Sequence, residues 1–82
     1  MPTLFVLVAT RDGQGDDVHR AIRGLDHIKE TISLFGEYDI IAKVHAPSMQ
    51  VGNEVPLRIR ELPGVLDTWT LVCVDPAQRL PS

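Results

Sequence analysis

The chain has 82 residues, a mass of 9.1 kDa and a formal net charge of −3. This length predicts one domain whose core alone contributes only about 3 to 5 kcal/mol, so another source of stability is expected. The single cysteine excludes an intrachain disulfide, and the chain has neither a basic cluster for nucleic acid nor an apolar run of about 20 residues for a membrane. We therefore expect a cytoplasmic protein that oligomerises and binds neither DNA directly nor a membrane.

The first predicted element is a strand, Thr3–Thr10, that is apolar on both alternating faces and is therefore expected to be buried on both. Turn residues follow, and Asp16 and Asp17 favour a helix start because they lie at the positive end of the helix. The apolar stripe of this helix comprises Val18, Ala21, Ile22 and Leu25. Its outward face carries His19, Arg20 and Arg23. We expect the helix to end at Gly24 or Asp26.

A hairpin is predicted next, from residues 28–35 and 40–46 on either side of a short turn. Residues 28–35 alternate in polarity, which is typical of an edge strand. One face of this strand is expected to carry Ile28, Glu30, Ile32 and Leu34. The inward positions of the second strand are Ile40, Ala42 and Val44.

A second helix is expected after Ser48, which is a candidate cap. Its apolar stripe comprises Val51, Val55, Ile59 and Leu62. Pro56 complicates this helix, because proline has no N–H for the carbonyl of Gly52. A helix that starts at Ser48 would be kinked, whereas one that starts near Asn53 would hold Pro56 in its first turn. We predict a short or bent helix.

The last predicted strand covers residues 65–74, and residues 75–82 are expected to be loosely ordered. The order β-α-β-β-α-β specifies a ferredoxin-like α+β fold, a two-layer sandwich with the first and third strands central. We therefore predict one domain, residues 1–82, with its core in residues 3–74. Because helices cover only one face of such a sheet, the outer face of the first strand needs another cover. The same face of a second copy is the simplest one, which predicts a homodimer with facing sheets, an arrangement like an α/β barrel.

The predicted turn between the hairpin strands has an unusual composition. Its residues 36–39, Gly-Glu-Tyr-Asp, combine a glycine, two acids and the chain's one tyrosine. Together with residues 40–44, the Leu-Pro-Gly-Val of residues 62–65 and the Thr-Trp-Thr of residues 68–70, this segment resembles the ligand-binding module of the leucine-responsive (Lrp/AsnC) transcriptional regulators. The module is also called the RAM domain, for regulation of amino-acid metabolism. The resemblance extends over residues 3–74.

The resemblance implies a regulatory module that binds an amino acid or a related effector where dimers meet, as a homodimer or a higher oligomer. The ligand-binding residues that it implies are Gly36, Glu37, Tyr38, Asp39, Thr68 and Thr70. These regulators usually carry an N-terminal helix-turn-helix that reads DNA. Here the first strand starts at Thr3, which predicts a stand-alone version that can co-assemble with full-length regulators. Gly52 and Pro56 depart from the uninterrupted second helix that is usual in the family.

Each of these site residues also has a purely structural explanation. Gly36 suits a turn that requires positive φ, and Asp39 can cap the turn rather than hold a ligand ammonium. Tyr38 can be a packing residue. Thr68 and Thr70 belong to a residue type common in strands, although their hydroxyls point the same way and suit one polar ligand group.

Three functions are compatible with the sequence. The first is regulatory amino-acid binding, and the second is a structural assembly domain that uses the same apolar sheet face without a ligand. The third is a small dimeric enzyme, in which His45 or Asp67 acts as a base in a cavity between sheet and helices. No nucleophile motif or phosphate loop supports an enzyme, and the three histidines lack the spacing of metal ligands. We therefore expect no catalytic residue, cofactor or metal.

Overall fold

The computed structural model describes residues 2–73. The elements are β1 Thr3–Thr10, α1 Gly15–Arg23, β2 Ile28–Ser33, β3 Ile40–His45, α2 Met49–Arg60 and β4 Val65–Cys73. The four strands form one antiparallel sheet in the order β2-β3-β1-β4. The predicted ferredoxin-like α+β fold, with the first and third strands central, is therefore confirmed. The expectation for residues 75–82 lies outside the described residues.

The core lies between one face of the sheet and the two helices. α1 packs mainly over β2, and α2 mainly over β4. The buried apolar side chains are Leu4, Val6, Val8, Val18, Ile22, Ile40, Ala42, Val44, Ala46, Val55 and Ile59. They alternate along the central strands and follow the predicted helical stripes, because periods of two and of 3.6 residues bring each set to one face. Neither helix in residues 2–73 is long and apolar enough to cross a membrane.

The second helix is longer than Pro56 suggested. α2 begins at Met49, and the hydroxyl of Ser48 accepts a hydrogen bond from a first-turn backbone N–H at 3.2 Å. The alternative of a start near Asn53 is therefore wrong. Pro56 lies inside the helix and is buried, so the packing of its ring offsets the bond that it cannot make to the carbonyl of Gly52.

Gly52 allows α2 to pack closely on β1. A Cβ at this position would lie 2.8 Å from Cδ1 of Leu4 and 3.5 Å from Cβ of Ala46. Since Leu4 is fully buried, a larger residue would require the core to shift. The two residues that depart from the usual family helix are thus both buried against the core.

β2 does not alternate as its sequence suggests. Its pairing with β3 shifts between Ile28 and Glu30, so that Ile28 lies opposite Val44 and Ile32 lies opposite Ile41. Ile28 therefore faces the helices, whereas Glu30 and Ile32 face the other side. The predicted common face is wrong, because a β-bulge adds one residue to a strand and reverses the faces that follow. β2 is nevertheless an edge strand, as predicted.

The helices leave one face of the sheet uncovered, and we refer to it as the open face. Its apolar residues are Phe5, Leu7, Ile32, Ile41, Trp69 and Leu71. Trp69 lies opposite Leu7 and Leu71 lies opposite Phe5 in the β1–β4 pairing. The side chains of Trp69 and Leu71 are 57 % and 48 % exposed. The single domain thus presents an apolar sheet face to its surroundings, as expected from the first strand.

Candidate functional site

Residues 34–39, which we call the β2–β3 loop, lie at the end of the sheet where β1 ends. The N–H of Leu34 donates to the carbonyl of Asp39 at 2.7 Å, and the N–H of Asp39 donates to the carbonyl of Val8 at 2.8 Å. The N–H of Thr10 donates to Oδ2 of Asp39, also at 2.7 Å. These three bonds close the loop on itself and tie it to β1.

Asp39 makes its bond to Thr10 just beyond the end of the β1–β3 ladder. The last pair of that ladder is Val8 opposite Ile40, so the N–H of Thr10, which points to the β3 side of β1, has no strand partner there. The Asp39 carboxylate provides that partner. Its second oxygen, Oδ1, makes no hydrogen bond within residues 2–73, so it stays available to a ligand.

Gly36 is required for the backbone of the loop rather than for space. Its φ is +145°, which side chains rarely allow, while a Cβ built on it would have no atom within 4 Å. The preceding Phe35 is fully exposed, and Leu34 is partly so. Leu34 and Phe35 together form a small apolar surface on the loop. Phe35 was not among the predicted site residues; its position next to the turn glycine was the available signal.

Tyr38 extends from the loop to β4 and packs against Trp69. The two ring centroids are 6.3 Å apart and the ring planes meet at 61°, an edge-to-face arrangement. Partial burial raises the pKa of the Tyr38 hydroxyl above its usual value, and the carboxylates of Asp67 and Glu37 raise it further. This end of the open face is therefore aromatic and acidic.

Tyr38 is the chain's one tyrosine, so its titration can be followed without ambiguity. We expect Asp67→Asn to lower the pKa of Tyr38, because the phenolate then forms beside one carboxylate fewer. Glu37→Gln should lower it by a smaller amount. The ultraviolet absorbance of tyrosinate during an alkaline titration measures both variants. An unchanged midpoint in Asp67→Asn would show that Asp67 does not act on the ring.

The two threonines lie on the other face of β4. Thr68 is opposite Val8 and Thr70 is opposite Val6, so both are on the side that faces the helices. Their predicted common direction is confirmed. Within one chain, Tyr38 lies close to Trp69 on the open face, whereas the two threonines lie on the opposite face of the sheet. β4 is an edge strand, however, and both threonines are only partly buried.

The residues considered for catalysis are far apart. His45 is opposite Thr3 and Asp67 is opposite Ala9, so they lie near opposite ends of the open face. Neither faces a cavity between sheet and helices, where the enzyme alternative placed a base. A depression of about 270 Å³ between α1 and α2 is lined by neither residue. In residues 2–73, no group of three or more His, Cys, Asp or Glu is placed to hold a metal.

The element order and sheet topology place the chain in the class of ferredoxin-like α+β domains. The family model of the Lrp/AsnC ligand binding domain matches residues 3–79. The chain belongs to this family of ligand-binding domains of transcriptional regulators, and the resemblance inferred from the sequence is confirmed. A search of the curated proteins finds no match.

Several solved structures share the fold. TTHA0845 from Thermus thermophilus has a TM-score of 0.88 and 31 % identity, over 96 % of this chain and all of that one. The hypothetical protein PHS023 from Pyrococcus horikoshii has a TM-score of 0.82 and 27 % identity, over 94 % of each chain. The transcriptional regulator NMB0573 from Neisseria meningitidis, solved as an L-Met complex, has a TM-score of 0.77 and 19 % identity. That match covers 98 % of this chain and 56 % of the regulator.

Proposed function

We propose that this domain binds an amino acid or a closely related effector in a regulatory role, and that the β2–β3 loop holds it. The observation that carries the proposal is the pair of roles available to Asp39. One carboxylate oxygen fixes the loop to Thr10, and the other is unused within residues 2–73. A loop that is already fixed loses little conformational entropy when it binds a ligand. Family membership and the L-Met complex of NMB0573 support the choice of ligand class.

The chemistry of the loop suits both charges of an amino acid. A carboxylate such as that of Asp39 forms strong, charge-assisted hydrogen bonds with an ammonium group. Backbone N–H groups next to Gly36 suit the ligand's carboxylate, because successive amides in a turn form an anion-binding concavity. Glu37 adds negative charge, and Tyr38 adds an aromatic wall. The side chain of the effector would contact the exposed Phe35.

Thr68 and Thr70 complete this site in the proposal only if they come from a neighbouring copy. They lie on the helix-facing side of β4, whereas Tyr38 packs against Trp69 on the open face. Their hydroxyls are at the sheet edge and can reach a molecule that lies alongside. Effector binding and assembly would then favour each other by the same coupling free energy.

The assembly that we propose begins with a homodimer in which two open faces meet. Trp69 and Leu71 are about half exposed in one chain, and isolated domains rarely expose connected apolar surface of this kind. A twofold axis covers the same face on both copies at once. Further contacts between dimers would form the higher oligomer that brings the threonines to the loop.

We propose that DNA contact is made by other chains. The net charge of −3 disfavours binding to a phosphate backbone, and both helices of residues 2–73 are packed on the sheet. We propose that full-length Lrp/AsnC regulators co-assemble with this domain and contribute the helix-turn-helix. The domain would then adjust the assembly of such regulators to the effector concentration.

Thermal unfolding in the presence of each common amino acid tests the proposed function. An effector at 100 times its dissociation constant should stabilise the protein by about 2.7 kcal/mol, which raises the melting temperature by several degrees. The matching amine, which lacks the carboxylate, is the control and should give a smaller shift. If no amino acid shifts the transition, the ligand proposal fails and a purely structural assembly domain explains the open face better.

A further inference from the structure

One polar bridge joins α1 to β2. Nε2 of His19 lies 2.7 Å from Oγ1 of Thr31, and Nδ1 lies 3.3 Å from Oγ of Ser33. His19 was expected on the outward face of α1, but it is half-buried and turned towards β2. The expectation was wrong because periodicity marks the centre of a helix face better than its border, where His19 lies beside the buried Val18.

Both hydroxyls face the helices. Thr31 is opposite Ala42 and Ser33 is opposite the buried Ile40. After the bulge, the residue between them, Ile32, points to the open face. The two residues at the end of β2 that face α1 therefore present hydroxyls, rather than large apolar side chains, to the helix. The imidazole of His19 therefore joins α1 to this part of β2 by hydrogen bonds, whereas elsewhere the helices are held to the sheet by apolar packing.

We propose that His19 is a positioning residue for the β2–β3 loop. Ser33 is the last residue of β2 and is followed directly by Leu34, whose N–H closes the loop on the carbonyl of Asp39 at 2.7 Å. By holding Ser33, His19 fixes the point at which the loop leaves the edge strand. The relevance to an effector rests on the function proposed above; the mechanical link between α1 and the loop does not.

The bridge matches the hydrogen-bonding capacity of its members. A neutral imidazole has one donor and one acceptor, and each hydroxyl can donate or accept, so either tautomer satisfies both contacts. β2 has a single neighbour in the sheet, β3. An edge strand held on one side only depends more on such a contact than a central strand does.

Hydrogen exchange of the whole chain, resolved by residue with NMR, tests the proposal without any ligand. We expect His19→Ala to accelerate exchange of the N–H groups of Leu34, Asp39 and Thr10 about five- to tenfold, the change expected from losing the one hydrogen bond that holds Ser33, where the loop begins. The N–H groups of β1 in the sheet centre should change less than about twofold, because they do not depend on the edge strand. Arg23→Ala, an exposed change on α1, is the control and should leave the loop unaffected.

Two further variants separate positioning from general stabilisation. His19→Gln keeps a donor and an acceptor near the hydroxyls and should restore most of the slow exchange at Leu34. Ser33→Ala should accelerate exchange at Leu34 as His19→Ala does, and the two changes together should add little. Equal acceleration throughout the sheet, or unchanged exchange at Leu34, would overturn the proposal. These exchange measurements are made without a ligand. They can therefore support or overturn the positioning role of His19 whether or not any amino acid binds.

Discussion

Leu71→Arg is expected to abolish the proposed homodimer and to leave little folded protein at micromolar concentration. Leu71 lies opposite Phe5 on the open face, so a facing second copy would bury it. An unpaired guanidinium placed there costs several kcal/mol, and the twofold axis introduces it twice. An 82-residue domain has little stability to set against that cost. Light scattering measures the mass, and circular dichroism measures the folded fraction.

A matched control comes from the helix layer. Leu57 on α2 is 57 % exposed, slightly more than Leu71, but lies away from the open face. Leu57→Arg should therefore leave the mass and the fold unchanged. A folded Leu71→Arg variant with the mass of the parent would show that the open face is not the dimer interface. A stable parent of 9.1 kDa at micromolar concentration would contradict the dimer itself.

Asp39→Asn is expected to weaken effector binding by about ten- to a hundredfold while the fold stays close to that of the parent. The amide oxygen can still accept the N–H of Thr10, but the negative charge that we propose for binding the effector's ammonium is gone. A hydrogen bond to a charged group contributes about 1.5 to 3 kcal/mol, which corresponds to this range of affinity. Calorimetric titration with the amino acid that gives the largest thermal shift measures the loss.

Asp39→Ala separates the two roles of the carboxylate. It should abolish effector binding and also lower the free energy of unfolding by about 1 to 3 kcal/mol, because the N–H of Thr10 then loses its partner. Glu37→Gln removes a carboxylate from the same loop and should weaken binding less. If Asp39→Asn, Thr68→Val and Thr70→Val all bind the effector as tightly as the parent, the site lies elsewhere.

Most of the fold could be predicted because its signals are local. β1 is apolar on both faces, and the stripe of α1 recurs every three or four residues, so the type and order of these elements can be read from the sequence. The start of α2 was harder. The capping residue Ser48 indicated it, but whether a helix tolerates Pro56 depends on what its ring packs against, which is a tertiary property.

The bulge in β2 shows the limit of reading faces from alternation. Residues 28–35 alternate regularly in the sequence, yet the pairing with β3 skips one residue between Ile28 and Glu30. Nothing within β2 requires this. The bulge lets β2 contribute an apolar side chain to each face of the sheet. Ile28 packs under the helices, and Ile32 lies beside Ile41 on the open face.

The candidate site could be predicted only in part, because it too depends on contacts between residues far apart in the sequence. The composition of residues 36–39 marked the loop, and Gly36 was expected to need positive φ, as it does. The partner of Asp39, the N–H of Thr10, is 29 positions away, and only the assembled sheet identifies it. The β1–β4 register likewise decides that the threonines face the helices. His19 was assigned to the wrong side because its partners are on β2.

Calorimetric titration of the parent protein with the amino acid selected by thermal unfolding tests most directly whether this domain binds an effector. We expect saturable binding at up to one molecule per chain. The affinity should rise with protein concentration, because a site that needs a second copy forms only on assembly. Titrations of every common amino acid that give only heats of dilution, with the protein folded and assembled, would contradict an effector-binding role.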